Sequence, residues 1–200
     1  SGKKVVPFLG AGFSVPFGGP TWGVLLRECV RKSHIRKSKQ DIFLDKLKNF
    51  SDYSAIAEEL YSENKPEVTS VISDSFRSLA NDFSVMKNSR VKESKKKIAL
   101  AKSILNLSTT SKLVITTNYD CIIEELLELD DKKRKEFDLN NINQVMRSNN
   151  DPKELTLLKL HGTIEKKAGC DVNIIFTETE YDRHYFANRN DLNYKNKTEG

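Results

Sequence analysis

Three short segments of this sequence carry side chains that could do chemistry, and each follows an apolar, strand-like run. They are Gly-Ala-Gly-Phe-Ser at 10–14, Thr-Thr-Asn-Tyr-Asp at 116–120 and Leu-His-Gly at 160–162. Closely spaced glycines let backbone amides approach a phosphate, because no Cβ is in the way. A histidine titrates near neutral pH and can take a proton, and an asparagine amide can orient a water without being ionised.

None of these segments is decisive alone. The glycine pair at Gly10 and Gly12 fits the first half of a dinucleotide fingerprint without its third glycine, and a tight turn between a core strand and a loop explains it equally well. On spacing alone, a hydrogen-bonded structural histidine is the commoner reading of His161. Asp120 could orient a ligand or cap a helix that begins at Ile122, and the pattern does not separate the two roles.

The elements that must position these residues are buried strands followed by helices. Residues 5–9, 112–117 and 155–160 are predicted strands. Of these, 112–117 is an apolar, β-branched run of the kind buried on both faces of a parallel sheet. Ligands of open parallel sheets bind at the carboxyl ends of the strands, where all three segments fall. The pattern predicts an α/β fold with a Rossmann-like parallel sheet flanked by helices, and a helical insertion at about 41–107.

Helical periodicity and turn residues predict the remaining elements. Thr21 is expected to cap a helix that begins at Trp22, and a further helix is expected to start after Pro66. Thr177-Glu178-Thr179-Glu180 has the spacing of a capping box. The other predicted elements are helices at 41–50, 53–61 and 96–107, a loop from 84 that feeds the last of these, strands near 144–146 and at 172–176, and a polar loop from 188. Pro7 cannot donate a ladder hydrogen bond, so its strand needs a bulge or an unpaired position there.

Composition narrows the class of protein. The 200 residues are 38% hydrophobic and 30% charged, which indicates one soluble globular domain, expected to span 1–200 and to be truncated on its C-terminal side. No run approaches the roughly 18 apolar residues of a membrane span and no signal-peptide layout is visible, so a cytoplasmic location without a membrane partner is expected. Cys29, Cys121 and Cys170 are too dispersed for a disulfide scaffold or a thiolate zinc site, and no metal is expected.

The formal net charge is +5, and much of the positive charge lies in runs such as Lys95-Lys96-Lys97. Such runs are usually solvated helix faces. Nucleic-acid binding therefore ranks last among the functions considered, because the motifs contain no basic patch interleaved with aromatic residues.

Taken together and in this order, the three segments resemble the sirtuin-like NAD-binding domains, specifically the bacterial branch of NAD hydrolases in anti-phage defence that includes the Thoeris effectors. The segment from Phe176 to Tyr181 also looks like this branch. The four-cysteine zinc module and the Ile-Pro-Asp-Phe-Arg-like segment of protein-deacylating sirtuins have no counterpart here. Deacylation of a peptide lysine is therefore not expected.

The resemblance implies a set of roles. Gly10, Ala11, Gly12 and Ser14 would hold the pyrophosphate and adjacent ribose of NAD. Asn118 and Asp120 would lie beside the nicotinamide ribose, where Asn118 would act in catalysis by positioning the water and the ribose. His161 would be the catalytic histidine and serve as the general base. The implied activity is cleavage of NAD, as substrate, to nicotinamide and ADP-ribose. A homo-oligomer, and a regulatory domain or activating partner outside this chain, are also expected. The alternative is a non-catalytic sensor of NAD or ADP-ribose within a larger assembly.

Overall fold

The computed structural model describes residues 4–49, 52–127, 134–136, 155–164 and 173–186, with backbone only for 134–136, Asn173 and Phe186. The predictions for 144–146, Cys170 and the polar stretch from 188 lie outside these residues. The strands are β1 (Phe8–Leu9), β2 (Leu113–Thr116), β3 (Arg134–Glu136), β4 (Thr156–Lys159), β5 (Gly162–Thr163) and β6 (Asn173–Ile174). The helices are α1 (Trp22–Lys32), α2 (Lys37–Lys48), α3 (Tyr53–Lys87), α4 (Lys92–Leu105), α5 (Ile122–Leu127) and α6 (Glu178–Phe186).

Four strands form a parallel sheet in the order β1-β2-β4-β3. The register pairs Phe8 with Ile115 and Val114 with Leu157. Every residue of β4 is buried, as expected for a strand inside a covered parallel sheet. Helices alternate with these strands along the chain and flank the sheet, which confirms the α/β, Rossmann-like fold class.

Between β1 and β2 the described chain is largely helical, and α1 packs against α2 and α3. Leu26, Cys29 and Val30 of α1 are fully buried in the main core. This packing follows from the i, i+3, i+4 spacing of apolar residues in α1. The assignment of residues 1–200 to one domain stays a prediction.

Several helix boundaries differ from the prediction. α2 begins at Lys37, four residues early, and Thr21 occupies the N-cap position of α1 without a capping hydrogen bond from its side chain. The loop predicted from 84 is wrong, because α3 continues to Lys87 and α4 starts at Lys92. Lysine is a good helix former, so a polar lysine run fits the exposed side of a helix as well as it fits a loop.

The predicted separate helices at 53–61 and after Pro66 form one helix of 35 residues with a kink at Asn64. Asn64 has φ −161° and ψ 74°, which is not helical, and its side-chain oxygen accepts a hydrogen bond from the Glu67 amide at 3.4 Å. Pro66 lacks an amide hydrogen and favours the first turn of a helix. The helix start predicted at Pro66 therefore corresponds to a kink within α3, and no loop separates the two helical segments.

The first strand agrees with one of the two alternatives expected for Pro7, and the last described strand differs from its prediction. Pro7 precedes β1, which lies at an edge of the sheet that the described residues form, and the Pro7 carbonyl accepts a hydrogen bond from Ile115 at 2.9 Å. No bulge is needed, because the missing donor is outside the ladder. The strand predicted at 172–176 is shorter, and it pairs antiparallel with β5 in a separate two-stranded sheet.

Candidate functional site

The three predicted segments meet at the carboxyl edge of the parallel sheet. β1 leads into two consecutive 3-10 turns, Ala11–Phe13 and Val15–Phe17, with Ser14 between them. β2 is followed after one residue by Asn118, and β4 is followed after one residue by His161. Because the strands are parallel and adjacent, their ends lie side by side.

Ser14 is held in place by a second pair of glycines, Gly18 and Gly19. The Gly19 amide donates to the Ser14 carbonyl at 3.0 Å, and a Cβ on Gly19 would lie only 2.8 Å from the Ser14 Cβ. Gly18 has φ +94°, in the left-handed region that glycine tolerates best. These two glycines are required by the turn that places Ser14.

The first glycine pair is less constrained by the protein. A Cβ on Gly12 would have no described atom within 4 Å, and one on Gly10 would make an ordinary contact of 3.7 Å with the Thr117 hydroxyl. The fold itself therefore does not demand glycine at either position. Of the two, Gly12 has open space on the side where a Cβ would lie.

Ser14, Asn118 and Asp120 form one buried hydrogen-bonded network. The Ser14 hydroxyl donates to Asp120 Oδ2 at 2.7 Å and accepts from Asn118 Nδ2 at 2.9 Å. The three side chains are only 3–6% exposed. Since Ser14 donates its one proton to the carboxylate, it must accept from Asn118, which sets the orientation of the asparagine amide.

Asp120 also accepts a hydrogen bond from the Ile122 amide at 3.1 Å through Oδ1. This is the capping contact that the sequence offered as one of two roles for Asp120. The other role, orienting a ligand, stays a prediction. The backbone amide of Asn118 donates to the Thr116 hydroxyl at 3.0 Å, so local hydrogen bonds stabilise the whole turn.

A cavity of about 600 Å³ opens above this network. Ala11, Ser14, Asn118, Asp120 and His161 line it, whereas Gly10 and Gly12 do not. Its apolar lining is supplied by residues from four parts of the chain: Trp22, Leu25, Phe76, Phe176 and Tyr181. The volume is within the range of small-molecule sites, about 300–1,000 Å³.

His161 stands partly buried at the wall of the cavity. Its ring centroid lies 6.2 Å from that of Tyr181 and 6.5 Å from that of Tyr185, both in edge-to-face geometry. Burial lowers the pKa of His161 below its usual value, and the nearby His184 lowers it further. The imidazole is therefore neutral at pH 7 and able to accept a proton.

The helix that carries Tyr181 is anchored near the cavity. Thr177 and Glu180 cap α6: the Thr177 hydroxyl accepts from the Glu180 amide at 3.2 Å, as the predicted capping box requires. In a capping box the Glu180 carboxylate would accept from the backbone amide of Thr177. Here it accepts instead from the backbone amide of Phe176, at 3.0 Å. Glu180 also pairs with Lys65 of α3, which joins the two helices.

The sequence reasoning missed Lys159, which is 1% exposed beneath the site. Its ammonium group donates to the Asp120 carbonyl and to Glu124 Oε1, the latter at 2.9 Å. The available signal was a lysine inside a predicted strand that is otherwise mostly leucine, because a lysine buried there needs a partner. Among the described residues, no group of three or more His, Cys, Asp or Glu side chains could hold a metal ion.

The order of these segments also bears on the protein's family. Residues 112–198 match the family model of a SIR2-like domain. No curated protein and no solved structure matches the chain. The SIR2-like match includes Asn118, Asp120 and His161, while Ser14 and the glycine turn lie outside it.

SIR2-like domains are typically NAD-dependent enzymes, so the match implies that this part of the chain is involved with NAD. It supports the sirtuin-like resemblance of the sequence. The anti-phage branch stays a prediction. No helix among the described residues combines the length and hydropathy that a membrane span requires.

Proposed function

We propose that this domain hydrolyses NAD to nicotinamide and ADP-ribose. The observation that carries the proposal is that Ser14, Asn118, Asp120 and His161, from three separate strand ends, line one cavity. The SIR2-like match supports NAD as the substrate. A cavity of this size with apolar walls and a few convergent polar groups has the character of a small-molecule site.

The chemistry required is cleavage of the glycosidic bond between nicotinamide and ribose. Positive charge builds on the ribose as the bond breaks, and a water oxygen then attacks the anomeric carbon. A neutral His161 takes the proton from that water or from a ribose hydroxyl. Its lowered pKa keeps it in the basic form at pH 7.

Asn118 is suited to positioning the water and the ribose. Its Nδ2 group is committed to Ser14, and Oδ1 has no hydrogen-bond partner among the residues that the structure describes. That oxygen accepts a hydrogen bond from a water or a ribose hydroxyl in the cavity that Asn118 lines. Because the amide is held by Ser14, its orientation is set before substrate binds.

The proposed place of the pyrophosphate is the turn at Gly10, Ala11 and Gly12. Ala11 lines the cavity, and neither glycine is required by packing within the described chain. Backbone amides without neighbouring side chains are the groups that Rossmann-like folds present to a pyrophosphate. Ser14 is then the contact between this turn and the ribose.

The proposed biological role is depletion of NAD as an effector of anti-phage defence. It rests on the resemblance of the three segments to that branch of sirtuin-like domains. An enzyme that destroys NAD requires control, so activation through a homo-oligomer or an activating partner is part of this proposal.

The test is nicotinamide release from NAD by the full-length protein, with its activating partner where one is needed. Asn118→Ala and His161→Ala are each expected to lower kcat, and loss of a general base typically costs about 10²–10⁴-fold. Matched controls are His34→Ala and Asn88→Ala, exposed residues outside the cavity, which should retain full activity. Full turnover by both cavity variants, or no turnover by the activated wild type, contradicts the proposal.

A second candidate function is a non-catalytic sensor of NAD or ADP-ribose. It is favoured by one observation: Ser14 is hydrogen-bonded to both Asn118 and Asp120, so these polar groups are engaged with one another within the protein. A sensor should gain thermal stability from NAD by mass action without releasing nicotinamide. Calorimetry that detects no binding of NAD or ADP-ribose excludes it.

A further inference from the structure

Lys159 connects two of the strand ends that form the candidate site. It is the last residue of β4, two positions before His161. Its ammonium group reaches across to the neighbouring turn, where it donates to the Asp120 carbonyl and approaches the Tyr119 carbonyl at 3.4 Å. One side chain thus spans from the strand that leads to His161 to the turn that carries Asn118 and Asp120.

The charge of Lys159 is balanced by Glu124 in α5. The two groups form a buried ion pair at 2.9 Å, with the lysine and glutamate side chains 1% and 9% exposed. The second carboxylate oxygen of Glu124 is buried without a hydrogen-bond partner among the described residues. Burying two charges is costly, and such a pair is poor evidence of a gain in stability.

The position of the pair relative to the cavity indicates another role. Neither Lys159 nor Glu124 lines the cavity, whereas Tyr119 and Asp120, whose backbone carbonyls Lys159 contacts, do. Lys159 therefore acts from behind the turn, on its backbone. A cation that donates to the Asp120 carbonyl limits movement of the turn relative to β4.

We propose that Lys159 is a positioning residue, which holds the Asn118–Asp120 turn in register with His161. The proposal rests on the proposed NAD hydrolysis, since it assigns Lys159 to the geometry of that reaction. Misplacement of reacting groups by about 1 Å can cost about 10²-fold in rate. A contribution of this kind affects kcat more than the affinity for a ligand.

The single variant Lys159→Met leaves the Glu124 carboxylate buried and unpaired, which is strongly destabilising in itself. The informative variant is Lys159→Met combined with Glu124→Leu, which replaces the ion pair by apolar side chains of similar length. Such replacements are often neutral or stabilising. The double variant therefore removes the contact to Asp120 while it keeps the packing.

The double variant of the full-length protein is compared with Lys87→Met. Lys87 also donates to a backbone carbonyl of α5, that of Glu125 at 2.8 Å, but it does so from α3 and away from the turn. The readouts are the melting temperature, the dissociation constant for ADP-ribose and kcat for nicotinamide release. We expect a wild-type melting temperature, ADP-ribose affinity within about threefold and kcat lowered by about 10- to 100-fold, with no loss of kcat in Lys87→Met.

A folded double variant with wild-type kcat overturns the positioning role. Hydrogen exchange at the Ile122 amide, which donates to Asp120, provides a readout that does not depend on activity. Exchange in the double variant should be at least tenfold faster than in the wild type, and unchanged exchange also overturns the proposal. If the wild type releases no nicotinamide under activating conditions, the proposed function fails, and the exchange rates still decide whether Lys159 positions the turn.

Discussion

Ser14 is the centre of the buried network, and replacing it with alanine tests that network directly. Its hydroxyl joins the turn after β1 to the turn after β2, through Asp120 at 2.7 Å and Asn118 at 2.9 Å. Ser14→Ala keeps the Cβ and removes only the oxygen. The partners, Asp120 and Asn118, are largely buried, at 3% and 6% exposed.

The expected cost follows from the two bonds. A hydrogen bond to a charged group contributes about 1.5–3 kcal/mol and a neutral one about 1 kcal/mol, so the free energy of unfolding should fall by about 3 kcal/mol. For a chain of this length each kcal/mol corresponds to about 2–4 °C, so the melting temperature should fall by about 6–12 °C. Activity should fall as well, because Asn118 loses the partner that orients its amide.

Ser108→Ala is the matched control. Ser108 is as buried as Ser14, at 2% exposed, but its hydroxyl donates only to the local Leu105 carbonyl at 2.6 Å. Loss of one neutral bond should cost about 1 kcal/mol. Thermal unfolding of both variants provides the comparison. If Ser14→Ala melts no lower than Ser108→Ala, the three residues do not form a network that supports the fold, and the reasoning is refuted.

Two further predictions concern the turn that supports Ser14 and the fall of activity at acid pH. Gly19→Ala should lower the free energy of unfolding by about 1–3 kcal/mol, since its Cβ would overlap Ser14, whereas Gly12→Ala should leave thermal unfolding unchanged; equal melting temperatures would contradict this. If neutral His161 is the base, kcat/KM should rise with pH through a pKa below 6.5. His184→Gln should move this rise in kcat/KM to higher pH, because it removes the charge of His184 that helps to lower the pKa of His161. A rise that stays in place, or moves to lower pH, would show that His184 does not act on His161.

The strand ends were predictable because their pattern is local. The apolar runs that end at Gly10, Asn118 and His161 are each followed at once by polar or glycine residues, and parallel pairing then places their ends at one edge. The helix boundaries near residues 84–97 were not predictable in the same way. There α3 and α4 expose polar faces, and composition alone does not separate a solvated helix face from a loop.

What the sequence could not provide is the set of contacts made behind the site. The role of Gly19 is one such contact, because its missing Cβ allows the turn to close on Ser14. Lys159 looked like an ordinary member of a strand, yet its ammonium group reaches the Asp120 carbonyl. Both contacts join residues that are not in the same helix or strand, so the periodicity of the sequence does not predict them. The side chains that would contact a ligand were therefore easier to predict than the residues that keep them in place, and the latter are where single substitutions should separate stability from activity.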